Sequence, residues 1–385
     1  MNILILCDLQ PMGGTVTYMG SFVLALQKLG HSVTIVSFAE EAYDFFPHHP
    51  LITRIPFLIK NRYYKISFFS RFFKLFSFLK TKNPTQFDLV FSDYYLPAVS
   101  YFLSRFLMPK WKKIPMFYQF HGSIMLEHNA QELYNKRRLR RINYAINYVL
   151  ERLCFAQAKK IICLSNYSRS ILEQTFHCQD KVVLIRPGRE QLFDVIRKTY
   201  TRHQAREELG LSPTKKILFL ASRVDPRKGI VECFHLLMEQ KIPNILIILA
   251  TNLNDFTGEL TEASNLPLMY FHLPPREQIG LLYRAADVTL LPSRALETFG
   301  LTTLESLSLG TPVVAYDVGA NAELLPPELL ASISHPQSFV DVLKNVLNKD
   351  KSAKEKLSEF CVEKAYKYSW KSYAQEVISL VRTSV

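Results

Sequence analysis

Asp287-Val-Thr-Leu-Leu291-Pro-Ser-Arg-Ala-Leu-Glu297-Thr-Phe-Gly300-Leu-Thr-Thr-Leu-Glu305 begins as a short apolar strand and ends as a helix. Pro292 and Ser293 close the strand, Gly300 permits a close backbone approach, and Leu301 to Leu309 has helical spacing. Glu297 therefore falls on the loop at a strand's carboxyl end. A helix starting there presents unpaired backbone N–H groups suited to an anion such as a diphosphate. Taken alone, Glu297 and Glu305 are equally compatible with two unrelated surface carboxylates.

The same strand-then-helix rhythm runs outward in both directions. Toward the N-terminus the β-rich runs are Ile3 to Cys7, Ser32 to Phe38, Leu89 to Ser92, Met116 to Phe120, Lys160 to Leu164 and Val182 to Ile185. Around the opening stretch they are Lys216 to Ala221, Ile245 to Ala250, Leu268 to His272, Asp287 to Leu291 and Pro312 to Ala315. Alternation of this kind predicts parallel sheets, and open parallel sheets bind ligands beyond the carboxyl ends of their strands. At 385 residues, 48% apolar and 21% charged, the chain suits two globular domains rather than one core or a disordered polymer. The polar helical stretch Pro187 to Pro213 is the expected boundary region. The predicted division is 1–190, 191–365, and a last helix, 366–385, crossing back to the first domain.

Three more strand-end loops carry candidate chemistry. Ala221-Ser222-Arg223-Val-Asp-Pro-Arg-Lys228-Gly229-Ile230 puts Arg223 and Lys228 on one loop, two multi-donor cations suited to a diphosphate leaving group; otherwise it is a solvated basic turn. Pro11-Met12-Gly13-Gly14-Thr15 follows the first strand, where Gly13 and Gly14 let backbone approach a ligand, although a purely structural turn reads the same way. His121 in Gln119-Phe120-His121-Gly122 ends another strand and is either a site residue or a packed histidine.

Charge separates the two halves. Residues 1–186 hold 24 Lys and Arg against 11 Asp and Glu, whereas residues 187–385 hold 23 of each, so the net +13 belongs to the first half. That asymmetry points to an anionic partner for the N-terminal half. Phe57 to Lys82 interleaves Phe68, Phe69, Phe72, Phe73 and Phe76 with Lys65, Arg71, Lys74 and Lys80 at helical spacing. Such a helix can lie in an anionic bilayer interface, with Lys65, Phe68, Arg71, Phe72 and Lys74 on the membrane or acceptor side. It can equally pack one face on a sheet and leave the basic face in water. Lys136 to Arg141 is ambiguous in the same way.

Other classes find little support. The cysteines at 7, 154, 163, 178, 233 and 361 form no CxxC pair or metal-ligand spacing, so neither a zinc site nor a disulfide framework is expected. No apolar run reaches the ~20 residues of a membrane span, and the N-terminus reads as a strand rather than a signal peptide. A cytoplasmic protein, peripheral on the inner membrane face, is the expectation. Nucleic-acid binding rests on charge alone, without a base-stacking or helix-turn-helix signature.

In their order along the chain these loops resemble the family 4 retaining glycosyltransferases of the GT-B fold. The likeness includes Gly13-Gly14, His121, Ser165-Asn-Tyr-Ser168, Arg223 with Lys228, and the Glu-x7-Glu loop. It continues through Leu309-Gly310-Thr311-Pro312-Val313-Val314, Gly319 to Glu323, and Tyr368-Ser369-Trp370. It implies two doubly wound, Rossmann-like α/β domains facing across a cleft, the first binding acceptor and the second a nucleotide-diphosphate sugar. Arg223 and Lys228 are then expected to hold the diphosphate, Glu305 the ribose, and Glu297 with the backbone of Phe299, Gly300 and Leu301 the sugar. Gly13 and Gly14 close over the phosphates, Ser222 lines the donor loop, and His121 faces the sugar. Residues near His272 to Arg276 are expected beside the base. The scheme calls for no metal and no cofactor besides the nucleotide sugar. Its acceptor is a lipid-linked or envelope glycan or, alternatively, a soluble sugar phosphate or protein. The chain departs from the family at Gly319-Ala320, Ser222 and Arg186-Pro187-Gly188, where Gly-Gly, glycine and Asn-Gly are usual.

Overall fold

The apolar runs form two all-parallel sheets in the computed structural model, which describes residues 1–8, 14–37, 52–56, 64–127, 140–252 and 266–384. The chain divides into two units, Met1–Gly188 with Trp370–Val385, and Arg189–Ser369.

The first unit holds β1 (Asn2–Cys7), β2 (Ser32–Ser37), β3 (Ile52–Pro56), β4 (Leu89–Ser92), β5 (Met116–Gln119), β6 (Lys160–Cys163) and β7 (Val182–Leu184), in spatial order β3-β2-β1-β4-β5-β6-β7. Its helices are α1 (Gly14–Lys28), α2 (Tyr64–Lys80), α3 (Tyr95–Leu107), α4 (Arg140–Gln157) and α5 (Asn166–Gln174). Ile5 sits in register with Ile35 and Phe91 at the centre of the sheet. Leu4 and Leu6 enter one core with Leu75 and Leu79 of α2, Val99 of α3 and Phe155 of α4. Strand alternation sends the equally buried Ile3 and Ile5 to the opposite face. The Ser165 turn is a helix cap, its hydroxyl accepting the Ser168 amide at 2.9 Å at the head of α5.

The last helix completes this unit. Trp370 begins it, and its Tyr373 lies edge-on to Phe22 of α1 with ring centroids 5.2 Å apart. The phenols of Tyr18 and Tyr373 meet each other, and each reaches Oε1 of Gln119 at 2.7 Å. All three polar groups are buried, so each must find its partner inside the protein.

In the second unit α6 (Gln191–Thr199) and α7 (Arg202–Glu208) precede β8 (Lys216–Ala221), α8 (Ile230–Gln240), β9 (Ile245–Thr251), β10 (Leu268–His272) and α9 (Arg276–Ala285). They are followed by β11 (Val288–Leu291), α10 (Leu301–Ser308), β12 (Val313–Tyr316), α11 (Asn321–Leu324), β13 (Leu330–Ala331), α12 (Ser338–Leu347) and α13 (Lys351–Tyr366). The last helix, Trp370–Ser384, is α14. Strand order is β10-β9-β8-β11-β12-β13. In each sheet the chain first winds one way and then the other, so the crossovers lie between β1 and β4 and between β8 and β11, the positions where doubly wound sheets take ligands.

Two strands escape sequence reading. β3 carries polar Thr53 and Arg54 and ends in proline, which only an edge strand tolerates. β13 has two residues, too few to show any period. Replacing Tyr373 with alanine removes a buried ring and one partner of Gln119. It is expected to cost about 3–5 kcal/mol, against less than about 0.5 for the exposed Ser379→Ala. Urea unfolding midpoints of the full chain check this.

Candidate functional site

The site in the second unit is assembled by backbone contacts between strand-end loops. After β8 the chain makes a turn at Pro226–Lys228 and reaches Gly229 with φ +64°, the start of α8. A Cβ at Gly229 would lie 2.3 Å from the Pro292 carbonyl, so only glycine lets this loop rest on the one following β11. The Arg294 amide then donates to the Arg227 carbonyl at 2.8 Å. The third loop, after β12, approaches as closely. Gly319 has φ +63° and a Cβ there would stand 2.2 Å from the Glu297 carbonyl, which also accepts the Ala320 amide at 2.8 Å.

These contacts bring Lys228 to Glu297, Nζ to Oε2 at 3.0 Å, with Ser293 Oγ at 3.5 Å from the same ammonium. The side chains are 17% and 13% exposed. Burial pushes the Glu297 carboxyl up, but the Lys228 charge and hydrogen bond, helped by Ser293 and Arg227, outweigh it and hold it below the ordinary 4.5. Leu296, just before it, has φ +57°, an uncommon conformation for a branched residue, which fixes the direction in which Glu297 leaves the loop. Gly300 (φ +88°) opens α10, and the first amides of that helix have no intrahelical acceptor. Phe299 is buried and edge-on to Tyr368, and Leu301 begins the helix. Arg223 is exposed at the start of its loop, and Ser222 Oγ donates to the Arg223 carbonyl at 3.2 Å. Glu305 accepts from Arg276 Nη2 at 2.6 Å and from the Tyr283 hydroxyl at 3.1 Å.

In the first unit the corresponding edge is less charged. His121 lies edge-on to Tyr18 at 4.7 Å, and burial pushes its pKa down to about 3, so the imidazole is neutral near pH 7. Gly14 begins α1, while Gly13 is outside the described residues. Asp8 follows β1 and Asp93 follows β4, one on each side of the crossover. Burial and the neighbouring Asp8 raise the Asp93 carboxyl well above the usual range. Arg71 reaches in from α2 to pair with Asp8 at 2.8 Å.

The family model described as Glycosyltransferase Family 4 matches residues 12–190, and that described as Glycosyl transferases group 1 matches residues 201–368. The chain belongs to the family 4 glycosyltransferases. It is 29% identical over 195 residues to a D-inositol 3-phosphate glycosyltransferase of Corynebacterium urealyticum, covering 46% of each chain. It thus spans about half the length of the curated relatives it matches. In fold it is similar to sucrose-phosphate synthase of Thermosynechococcus elongatus, with TM-score 0.82 at 19% identity, covering 100% of this chain and 99% of that one. It is also similar to Anabaena HepE, solved with UDP and glucose, with TM-score 0.75 at 16% identity over 100% of both chains.

For this family 4 chain the basic aromatic helix is placed more finely than its sequence allows. Leu75 and Leu79 enter the core and Arg71, with its side chain 13% exposed, points to Asp8, so Arg71 does not lie on the outer face. Phe72 and Lys74 are half-buried, while Phe69 and Phe73 are 61% and 62% exposed. The side chains of Lys65 and Phe68, and the residues from Lys136 to Leu139, are outside the described residues. No helix among the described residues is long and apolar enough to cross a membrane.

Sequence reasoning missed Asp8, Asp93 and Glu151, and it named Arg276 only as a neighbour of the base, not as the partner of Glu305. The first two carry a legible signal, an acid directly after an apolar strand. Glu151 carries none, because it acts at a distance. From α4 it accepts the Ser123 hydroxyl and the Ile124 amide, both at 2.9 Å, pinning the loop that follows His121. Burial raises it to about 7.

The folded Glu151 pKa lies above the unfolded one, so its contribution is fully present below the ordinary 4.5 and is lost as pH rises through about 7. Stability followed by urea unfolding should fall across that window, and Glu151→Gln should flatten the slope. Glu297 has the opposite sign: its contribution is complete above 4.5 and is lost only as pH falls through the lower folded value. Lys228→Met, which leaves that carboxylate buried and unpaired, should cost about 3–5 kcal/mol, and adding Glu297→Gln should recover part of it.

Proposed function

We propose that the chain is a retaining glycosyltransferase that moves a hexose-type sugar from a nucleotide-diphosphate sugar to an acceptor hydroxyl, on a lipid-linked or envelope glycan at the cytoplasmic membrane face. The observation that carries the reading is the Lys228–Glu297 pair at the β8/β11 crossover, beside the amides that open α10. Lys228 and Arg223 neutralise the departing diphosphate, whose charge grows as the sugar–phosphate bond breaks. Glu297, held ionised, accepts hydroxyl groups of the sugar, with the backbone of Phe299 to Leu301 beside it. Glu305 accepts from the ribose. The acceptor hydroxyl attacks the face the diphosphate leaves, and its proton passes to a phosphate oxygen. The two cations supply the charge that a metal otherwise would.

The membrane part of the reading has separate support. Phe69 and Phe73 of α2 are exposed, as are Phe106 (69%) and Leu107 (57%) at the end of α3, next to Lys110, Lys112 and Lys113. Rings flanked by cations suit an anionic headgroup layer. A soluble sugar-phosphate acceptor is the second reading, favoured by the basic excess of residues 1–186 and by the inositol phosphate in the names of relatives.

Nucleotide release from a panel beginning with UDP-glucose, without and with membrane extract, tests both. Release from one donor that rises with extract and falls at least about 100-fold in Glu297→Ala is the expected result. Release stimulated by a soluble sugar phosphate but not by extract selects the second reading. Release indifferent to the mutation, or no donor binding, overturns the catalytic assignment.

A further inference from the structure

Glu305 does not stand alone on α10. Its Oε1 accepts from Arg276 Nη2 at 2.6 Å and its Oε2 from the Tyr283 hydroxyl at 3.1 Å. Arg276 is itself held from the other side, donating Nη2 to Glu190 Oε1 at 2.8 Å and Nε to Glu190 Oε2 at 3.3 Å. Its guanidinium lies over the Phe193 ring, 4.9 Å from the centroid. The three ionic side chains arrive from separate parts of the second unit: Glu190 just ahead of α6, Arg276 at the start of α9, and Glu305 on α10.

One arginine between two carboxylates is more than charge neutralisation requires. The side chains of Glu190, Arg276 and Glu305 are 14%, 29% and 13% exposed, so the second carboxylate brings a desolvation cost that a structural pair would avoid. Burial works against the Arg276 charge, but Glu305 and Glu190 on either side outweigh it and raise its pKa. The guanidinium is therefore a fixed, charged fork whose planar donors match a carboxylate in a way a lysine does not. An ionised carboxylate has about four lone-pair sites. Arg276 and Tyr283 occupy one on each oxygen, which leaves the others pointing in set directions.

We infer that Arg276, locked by Glu190 and Phe193, is a positioning residue: it fixes the Glu305 carboxylate so that its remaining lone pairs accept from both vicinal hydroxyls of a nucleotide ribose, and so makes the site select ribonucleotides over 2′-deoxyribonucleotides. The inference rests on the reading of Glu305 as the ribose contact. Its own content is that the discrimination belongs to Arg276 as much as to Glu305. A structural role for Arg276 alone weakens both kinds of nucleotide equally.

Isothermal titration of the full chain with UDP and 2′-deoxy-UDP, and with the matching ADP and GDP pairs, separates the possibilities. The wild type should prefer the ribonucleotide of its preferred pair by about 10-fold or more, the value of one hydrogen bond to a charged acceptor. In Arg276→Met that ratio should approach one, with the deoxynucleotide affinity little changed, and Arg276→Lys should fall in between. If Arg276→Met does not fold, Arg276→Lys carries the test: a ratio cut at least threefold supports the inference and an unchanged ratio overturns it. Discrimination retained in a folded Arg276→Met also overturns it, while leaving Glu305 as the ribose contact. A wild type that does not discriminate removes the Glu305 reading and this inference together, and absence of nucleotide binding removes the proposed function itself.

Discussion

Strand-end loops of a parallel sheet can share chemistry only if their backbones are allowed to touch, and in Arg189–Ser369 that contact depends on two glycines. Gly229 rests on the Pro292 carbonyl and Gly319 on the Glu297 carbonyl, each so close that a Cβ would fall at 2.3 or 2.2 Å. Three loops, after β8, β11 and β12, are thereby fixed at one edge. The Lys228–Glu297 pair is a consequence of this packing and not its cause. A buried ion pair repays its desolvation poorly, so two charges kept there suggest a site that serves a charged ligand more than the fold.

The two crossovers are electrostatically different. At β8/β11 Lys228 lies 3.0 Å from the Glu297 carboxylate and holds it below its ordinary pKa. At β1/β4 burial drives groups toward neutrality: Asp93 is raised, and His121, one strand over, is lowered to about 3. Asp8 has a cation, Arg71, which comes from α2. Of the 24 basic residues in 1–186, Lys80, Lys110, Lys112 and Lys113 are exposed on or next to α2 and α3. Helices α2 and α3 combine that charge with exposed phenyl rings, while their inner faces, Leu75, Leu79 and Val99, belong to the core. The basic helix α2 thus packs one face on the core and leaves Phe69 and Phe73 of the other exposed.

Eleven strand runs were legible because a buried parallel strand is apolar on both faces and needs no partner to be recognised. The edge strand β3 was not, since polar Thr53 and Arg54 interrupt it, and β13 was too short. Among candidate site residues, Glu297, Arg223, Lys228 and Gly300 could be named because each lies on a loop that follows an apolar strand. The pairing of Arg276 could not, because it joins Glu305 and Glu190 across 29 and 86 positions of sequence. Glu151 was hidden for the same reason, acting on a loop 28 residues away in sequence.

The sequence by itself determined the class of fold, the division of charge between the halves, and the loops that carry cations, carboxylates and glycines, since these follow from periodicity and local composition. Tertiary structure alone decided which of those groups meet and in what state of protonation. Lys228 holds Glu297 ionised, Arg276 is shared between Glu190 and Glu305, and Arg71 turns inward to Asp8. The reason is physical: burial and the partner a charge finds set its energy, and both are properties of the packed chain rather than of neighbours in sequence.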